Sequence, residues 1–126
     1  FADFSSIALH NIKVKNNKIP NSHFICRDFF GLSGNYDLIL EQTMFCAIDP
    51  KFRIEYAKKT SSLLNNGGKL VGVFFDREFD SGPPFGGTTD EYYKYFKQYF
   101  TSVEFSKCYN SIEPRKGSEA FLIARK

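Results

Sequence analysis

Apolar positions along this chain fall into short unbroken runs, separated by stretches whose apolar residues recur at helical spacing. Residues 1–3 read as the end of a strand. Ser5 or Ser6 caps a following helix that carries Ile7, Ala8, Ile12 and Val14 on one side. Residues 16–22 form a polar turn around Pro20, residues 23–27 the next strand, and Leu32-Ser33-Gly34-Asn35 a loop. Residues 36–40 show almost no alternation, the pattern of a strand buried on both faces. A helix over residues 50–64 follows, with Asp49 as N-cap and Pro50 at its first position. Its apolar stripe is Phe52, Tyr56, Ala57, Thr60, Leu63 and Leu64, and Asn65-Asn66-Gly67-Gly68 stops it. Residues 69–75 are another buried strand, and the alternation of strand and helix to this point predicts a parallel sheet with right-handed crossovers.

The pattern then changes. Residues 76–89 form a long loop containing Gly82-Pro83-Pro84-Phe85-Gly86-Gly87, and loops of this length after a strand tip commonly carry function. Thr88-Thr89-Asp90-Glu91 resembles a capping box and opens a short helix with Tyr92, Tyr93, Phe96, Tyr99 and Phe100. Two strands close the chain, residues 102–109 and 118–124, with Pro114-Arg115-Lys116-Gly117 between them. A connection that short predicts an antiparallel hairpin.

Three of the apolar runs lead into an acid: Asp3, Asp28 and Glu41. Ligands of open α/β sheets bind at the carboxyl ends of the strands, so acids there suit a ligand bearing ribose hydroxyls, an exocyclic amine or positive charge. Composition narrows the classes further. The chain has 126 residues, 42% hydrophobic and 25% charged, which fits one small packed α/β domain. Its 15 Phe and absence of Trp point to an aromatic core, with some rings left to wall an apolar pocket. Net charge is +3 with the basic residues scattered, which argues against nucleic acid. No run reaches the roughly 20 apolar residues of a membrane span, and residues 1–20 do not read as a signal peptide. Three cysteines at no metal spacing read as buried thiols in a reducing cytoplasm. Cys46 as a nucleophile would need a base, and His10 and His23 are both remote from it in sequence. No general acid, general base, nucleophile or metal site is assigned. The first residue is Phe, so the chain reads as the remainder of a longer protein.

The motifs carry a resemblance. YDLILEQTMFCAIDPKFR (residues 36–53), GPPF (residues 82–85) and SIEPRKGSE (residues 111–119) resemble the thiopurine S-methyltransferase superfamily, nearest its thiol and halide methyltransferase branch. That resemblance implies an α/β, Rossmann-like class I methyltransferase sheet, mostly parallel with an antiparallel C-terminal hairpin. It implies one domain over residues 1–126, S-adenosylmethionine as cofactor and a small-molecule nucleophile as substrate, with no role for nucleic acid or membrane. By the family pattern, Asp3 with Phe4 would hold the ribose, Asp28 and Phe29 the adenine, and Glu41 with Gln42 the methionine end. Many relatives carry Arg or Tyr where Gln42 stands, so their substrate preference does not transfer. Phe45, Pro84 and Phe85 would wall the substrate pocket, and Arg115 would face an anionic nucleophile or pair with Glu113 or Glu119.

Methyl transfer from a sulfonium releases a neutral thioether, so the chemistry needs alignment and a dry pocket rather than an acid catalyst. The family's first strand and glycine-rich loop have no counterpart before Asp3, which leaves neighbouring strands unpaired. This piece alone is therefore expected to be inactive. Two rival readings differ in class. One is a catalytically silent module that pairs with another chain through Tyr92, Tyr93, Tyr95, Tyr99 and Phe100. The other, a dinucleotide oxidoreductase, fits poorly with the antiparallel final hairpin. The sequence sets neither the methyl acceptor nor the oligomeric state.

Overall fold

A computed structural model describes all 126 residues, which form two units, Phe1–Ser33 and Gly34–Lys126. The first unit is a small βαβ arrangement. Strand β1 (Ala2–Asp3) runs parallel to β2 (Ile25–Cys26), with Ala2 opposite Ile25 and Asp3 opposite Cys26. Between them lies helix α1 (Ser6–Lys15), whose N-cap Ser5 accepts a hydrogen bond from the Ala8 amide at 3.2 Å. Lys13 and Lys15 occupy its last turn, where they complement the helix dipole. Strand β2 is shorter than the sequence predicts, because residues behind Pro20 wind into a 3₁₀ turn, Asn21–His23.

The apolar side of α1 also differs from expectation. Ile7 and Val14 are 73% and 63% exposed, and the buried residue is Leu9. Seven residues make almost two full turns, so Ile7 and Val14 do share a face; Leu9 lies roughly 200° round from Ile7, on the opposite one. Ala8, Leu9 and Ile12 are the inward set.

The second unit carries a four-stranded sheet in the order β3-β4-β6-β5. Strand β3 (Tyr36–Gln42) is parallel to β4 (Leu64–Phe75), while β6 (Glu119–Arg125) is antiparallel to both β4 and β5 (Ser102–Lys107). The switch from parallel pairing to a closing antiparallel hairpin is the one the sequence predicts. Helix α2 (Arg53–Leu63) and helix α3 (Thr89–Phe96) complete the unit. Asp49 accepts from the Lys51 amide at 3.0 Å and opens a 3₁₀ turn, Pro50–Phe52, that feeds α2. Thr88 caps α3 by accepting from the Glu91 amide at 3.2 Å. Asn65-Asn66-Gly67-Gly68 is not a simple helix stop: β4 begins directly at Leu64. The register then jumps from Tyr36 opposite Leu64 to Leu38 opposite Lys69. Gly67 has φ 79°, the left-handed conformation that glycine adopts without strain.

Strand β3 is not buried on both faces. Leu38 and Leu40 are 51% and 75% exposed. The strand pairs with β4 alone, at the margin of this sheet. Leu40 sits in register with Val71, on the face opposite buried Leu70, Phe74 and Leu122. The core lies on that second face, where Phe45, Tyr56, Phe74, Tyr92 and Phe96 pack with ring centroids 4.9–6.4 Å apart. Such pairs contribute about 0.5–1.5 kcal/mol each beyond simple burial. Tyr92 and Phe100 are buried, so the aromatics of residues 92–100 do not form one partner-binding surface. The cysteines also depart from expectation: all three are unpaired, yet only Cys108 is buried. No helix is long and apolar enough to cross a membrane.

Candidate functional site

Each unit contributes chemistry at the carboxyl ends of its strands. In the first unit, Asp3 ends β1 and Asp28 follows β2 by two residues; since Asp3 lies opposite Cys26, both acids stand at the same end of the strand pair. Asp3 Oδ1 accepts from the Ser5 amide at 2.7 Å. Asp28 Oδ1 accepts from the Phe30 amide at 3.1 Å and caps a 3₁₀ turn, Phe29–Gly31. A carboxylate has two acceptor oxygens, so one backbone bond orients the group without exhausting it. The Phe29 and Phe30 rings meet edge-on at 5.4 Å, and Phe4 projects from the loop after β1 with 85% exposure. Acceptors flanked by aromatic surface fit a ligand with hydroxyl and amine donors and a flat heterocycle.

In the second unit the tip of β3 is built differently. Glu41 is buried, with Oε1 accepting from the Phe45 amide at 3.0 Å and Oε2 from the Tyr56 hydroxyl at 2.8 Å. Gly72 makes room for it, because a Cβ there would stand 2.8 Å from the Glu41 Cβ. Burial pushes the Glu41 pKa above the ordinary carboxylate value, although hydrogen bonds from the Phe45 amide, the Tyr56 hydroxyl and the Met44 amide pull the other way. Gln42 is exposed, and Thr43 follows at φ 73°. A β-branched residue in the left-handed region is strained, and such strain concentrates at functional turns.

The turn folds back so that Cys46 Sγ donates to the Thr43 carbonyl at 3.2 Å. Burial, and after it the nearby charge of Glu41, raises the Cys46 pKa. A raised pKa favours the protonated thiol over the thiolate that a nucleophile needs. Glu41, Gln42, Thr43, Phe45, Cys46, Tyr92, Arg115 and Glu119 line a recess of about 10 Å³, with Val73, Phe74 and Phe75 of β4.

Of the residues anticipated from sequence in this unit, the recess gathers Glu41, Gln42, Phe45 and Arg115. Phe45 is both floor and core, at 2% exposure. Arg115 stands at 3.4 Å from Glu119 and lies over the Phe75 ring at 5.2 Å, so Glu119 is the pairing partner and Glu113 turns to Lys116 at 3.1 Å. Pro84 and Phe85 do not line the recess. Their loop is nevertheless tied to it, since the Phe85 amide donates to the Cys46 carbonyl at 2.6 Å.

Arg53 closes the motif of residues 36–53, but the sequence reading gives it no role. It begins α2, its side chain is 2% exposed, and it reaches the Phe85 and Gly86 carbonyls. The signal was present: Arg53, Tyr56, Ala57 and Thr60 follow the i, i+3, i+4, i+7 spacing of a buried stripe, whereas Phe52 is 40% exposed.

Comparison with known proteins bears on these two clusters. A family model described as thiopurine S-methyltransferase matches residues 5–125. A probable thiol methyltransferase 2 from Arabidopsis thaliana is 32% identical over 124 residues, covering 93% of this chain and 55% of that protein. Thiocyanate methyltransferase 1 from Brassica oleracea is 33% identical over 100 residues, covering 76% of this chain and 44% of that one. The chain thus spans about half the length of the curated relatives it matches. Among solved structures, the N-methyltransferase NodS from Bradyrhizobium japonicum in complex with S-adenosyl-L-homocysteine superposes with a TM-score of 0.75 at 15% identity. That match covers 99% of this chain and 64% of NodS, a likeness of fold alone.

Proposed function

The chain belongs to the thiopurine S-methyltransferase family, and from that premise we propose that the whole protein transfers a methyl group from S-adenosylmethionine to a small nucleophile: a thiol, a thiopurine or a halide. The observation that carries this reading is the family match from residue 5 to residue 125, which takes in Asp28, Glu41 and the residues of the aromatic recess, with Asp3 two residues before its start. Bound S-adenosylmethionine supplies a methyl group on a sulfonium, electrophilic without protein assistance.

The chain's own residues bind, orient and exclude water. Asp3, held by the Ser5 amide, accepts from ribose hydroxyls, with Phe4 beside it. Asp28, held by the Phe30 amide, accepts from the exocyclic amine, with Phe29 along the ring. At the tip of β3, Gln42 faces the methionine end. Glu41 acts on that end through the turn it braces, since both its oxygens are engaged within the protein. Phe45 walls the recess, and Pro84 and Phe85, on the loop tied to it through Cys46, extend that wall beyond it, an apolar surface that strips water from an incoming anion. Arg115 draws that anion in, with its charge partly balanced by Glu119. Alignment of this kind supplies roughly 7–11 kcal/mol in well-oriented systems, which is why no proton-transfer residue is needed. Unpaired thiols at Cys26, Cys46 and Cys108 support a reducing, cytoplasmic setting.

The test is calorimetric titration of the full-length protein with S-adenosylhomocysteine. Binding heat and a raised Tm are expected, and their absence would count against the reading. Asp3→Ala should weaken that binding by about 1.5–3 kcal/mol, the worth of hydrogen bonds to a charged acceptor. Unchanged affinity would remove Asp3 from the ribose site.

A further inference from the structure

We propose that Arg53 is a positioning residue, a clamp that sets the Phe85 loop against the recess and thereby tunes which methyl acceptor is taken. The inference rests on the methyltransferase reading for its kinetic part only. Arg53 Nη2 donates to the Gly86 carbonyl at 2.8 Å and to the Phe85 carbonyl at 3.3 Å. Nη1 faces Glu91 Oε1 at 3.4 Å, and the same oxygen accepts from the Tyr95 hydroxyl at 2.7 Å. The guanidinium lies over the rings of Phe45 at 5.0 Å and Tyr92 at 5.3 Å, both of which line the recess.

This is an expensive way to hold a helix start. The side chain is 2% exposed, its ion-pair partner is 35% exposed, and the buried Nε has no acceptor. Removing a charge from water costs several kcal/mol, and a well-packed apolar residue often does as well for stability. What an apolar residue cannot do is bind two successive carbonyls of a loop while stacking on two aromatic rings; a planar guanidinium can. The loop is shaped to receive it. Gly86 admits no side chain, because a Cβ would collide with the Arg77 carbonyl oxygen. The Phe85 amide is fixed to Cys46, and the Gly87 amide donates to the Arg77 carbonyl at 2.9 Å. One side chain therefore joins the start of α2, the loop and α3, and the loop residue it grips, Phe85, is the proposed wall for the acceptor.

The experiment uses the full-length protein and two variants. Arg53→Lys keeps the charge but loses the fork; Arg53→Met keeps the bulk and removes the charge. Both should speed hydrogen exchange of the Phe85 and Gly87 amides by about tenfold, as expected for loss of one or two hydrogen bonds. Exchange at Leu70 and Leu122 in the sheet should not move. The KM for the methyl acceptor should rise by a similar factor, with affinity for S-adenosylhomocysteine unchanged. Parental exchange rates at Phe85 and Gly87 in both variants would overturn the clamp, whatever the catalytic activity. Equal losses in acceptor KM and in S-adenosylhomocysteine affinity would overturn its role in acceptor choice. If neither variant folds, Arg53 is a core residue and the positioning role fails. If the parent does not bind S-adenosylhomocysteine, the proposed function fails while the exchange data still judge the clamp.

Discussion

Asp3 and Asp28 in one unit and Glu41 in the other are all acids at or just past the carboxyl end of a strand, yet the protein treats them in opposite ways. Asp3 is half-buried at the end of β1 and Asp28 is exposed just past β2, each with a single oxygen engaged by a backbone amide. Glu41 is enclosed, with both oxygens engaged by Phe45 and Tyr56. The packing around them differs in the same sense. In Phe1–Ser33 the buried apolar side chains are Leu9 and Leu32, while Gly34–Lys126 contains the whole aromatic cluster. A carboxylate meant for an external donor must stay hydrated until the ligand arrives, so it belongs on a lightly packed frame. A carboxylate that shapes a turn can be buried, provided its lone pairs are satisfied. Likeness of position along a strand therefore does not imply likeness of task.

The strongest way to break that comparison is to cut the core of the second unit. Phe96 has no exposure and contacts Phe45, Tyr56, Phe74 and Phe100. Phe96→Ala should cost about 3–5 kcal/mol by denaturant titration. A loss below 1 kcal/mol would show that the ring cluster is not the principal source of stability. Next in size is Leu9→Ala, expected to cost about 2 kcal/mol, the low end for a buried leucine, because Leu32 is the one other buried apolar side chain of its unit. Hydrogen exchange should localise that loss to Phe1–Ser33; an equal loss of protection across β4 and β6 would show that the units unfold together.

Much of this contrast was legible in the chain. Unbroken apolar runs marked the strands, and side chains with a mechanism marked the helix starts: Ser5, Asp49 and Thr88 all accept the capping bond that their type implies. The antiparallel close was legible from the length of the last connection. Burial was less legible, because it depends on what lies beside an element. The run at residues 36–40 has the pattern of a strand covered on both faces, but β3 has one neighbour and Leu40 lies open. Ile7 and Val14 keep helical spacing on the face that α1 leaves to solvent. The role of Arg53, the last residue of the motif of residues 36–53, was illegible for a related reason: a charged residue on an apolar stripe is ordinarily read as a break in it, and nothing local shows that two loop carbonyls will be waiting.

A gain is expected at Thr43. Its left-handed backbone costs about 1–2 kcal/mol in a residue with a Cβ, and its hydroxyl bonds only its neighbour's carbonyl, at 2.6 Å. Thr43→Gly should therefore stabilise the second unit by about 0.5–1 kcal/mol once the extra freedom of unfolded glycine is subtracted. Thr43→Asn, which tolerates the same conformation, should gain less. If the glycine variant is instead less stable, the turn is held by the threonine side chain rather than strained by it.

The finest test concerns pH and addresses the enclosed acid directly. Burial raises the folded-state pKa of Glu41 above its ordinary value of 4.5. A group of this kind stabilises the fold most when protonated in both states. Its contribution is fully present below 4.5 and is lost as pH rises through the elevated folded value. Glutamine has the shape of the protonated acid: its carbonyl can accept from the Phe45 amide, and its amide can donate to a rotated Tyr56 hydroxyl. Glu41→Gln should therefore flatten the decline of stability with pH above 4.5, while leaving stability in acid nearly unchanged. Unfolding free energies measured across that window, in parent and variant, decide the matter. A parental slope that survives the substitution would place the titration elsewhere and remove Glu41 from the role of buried brace.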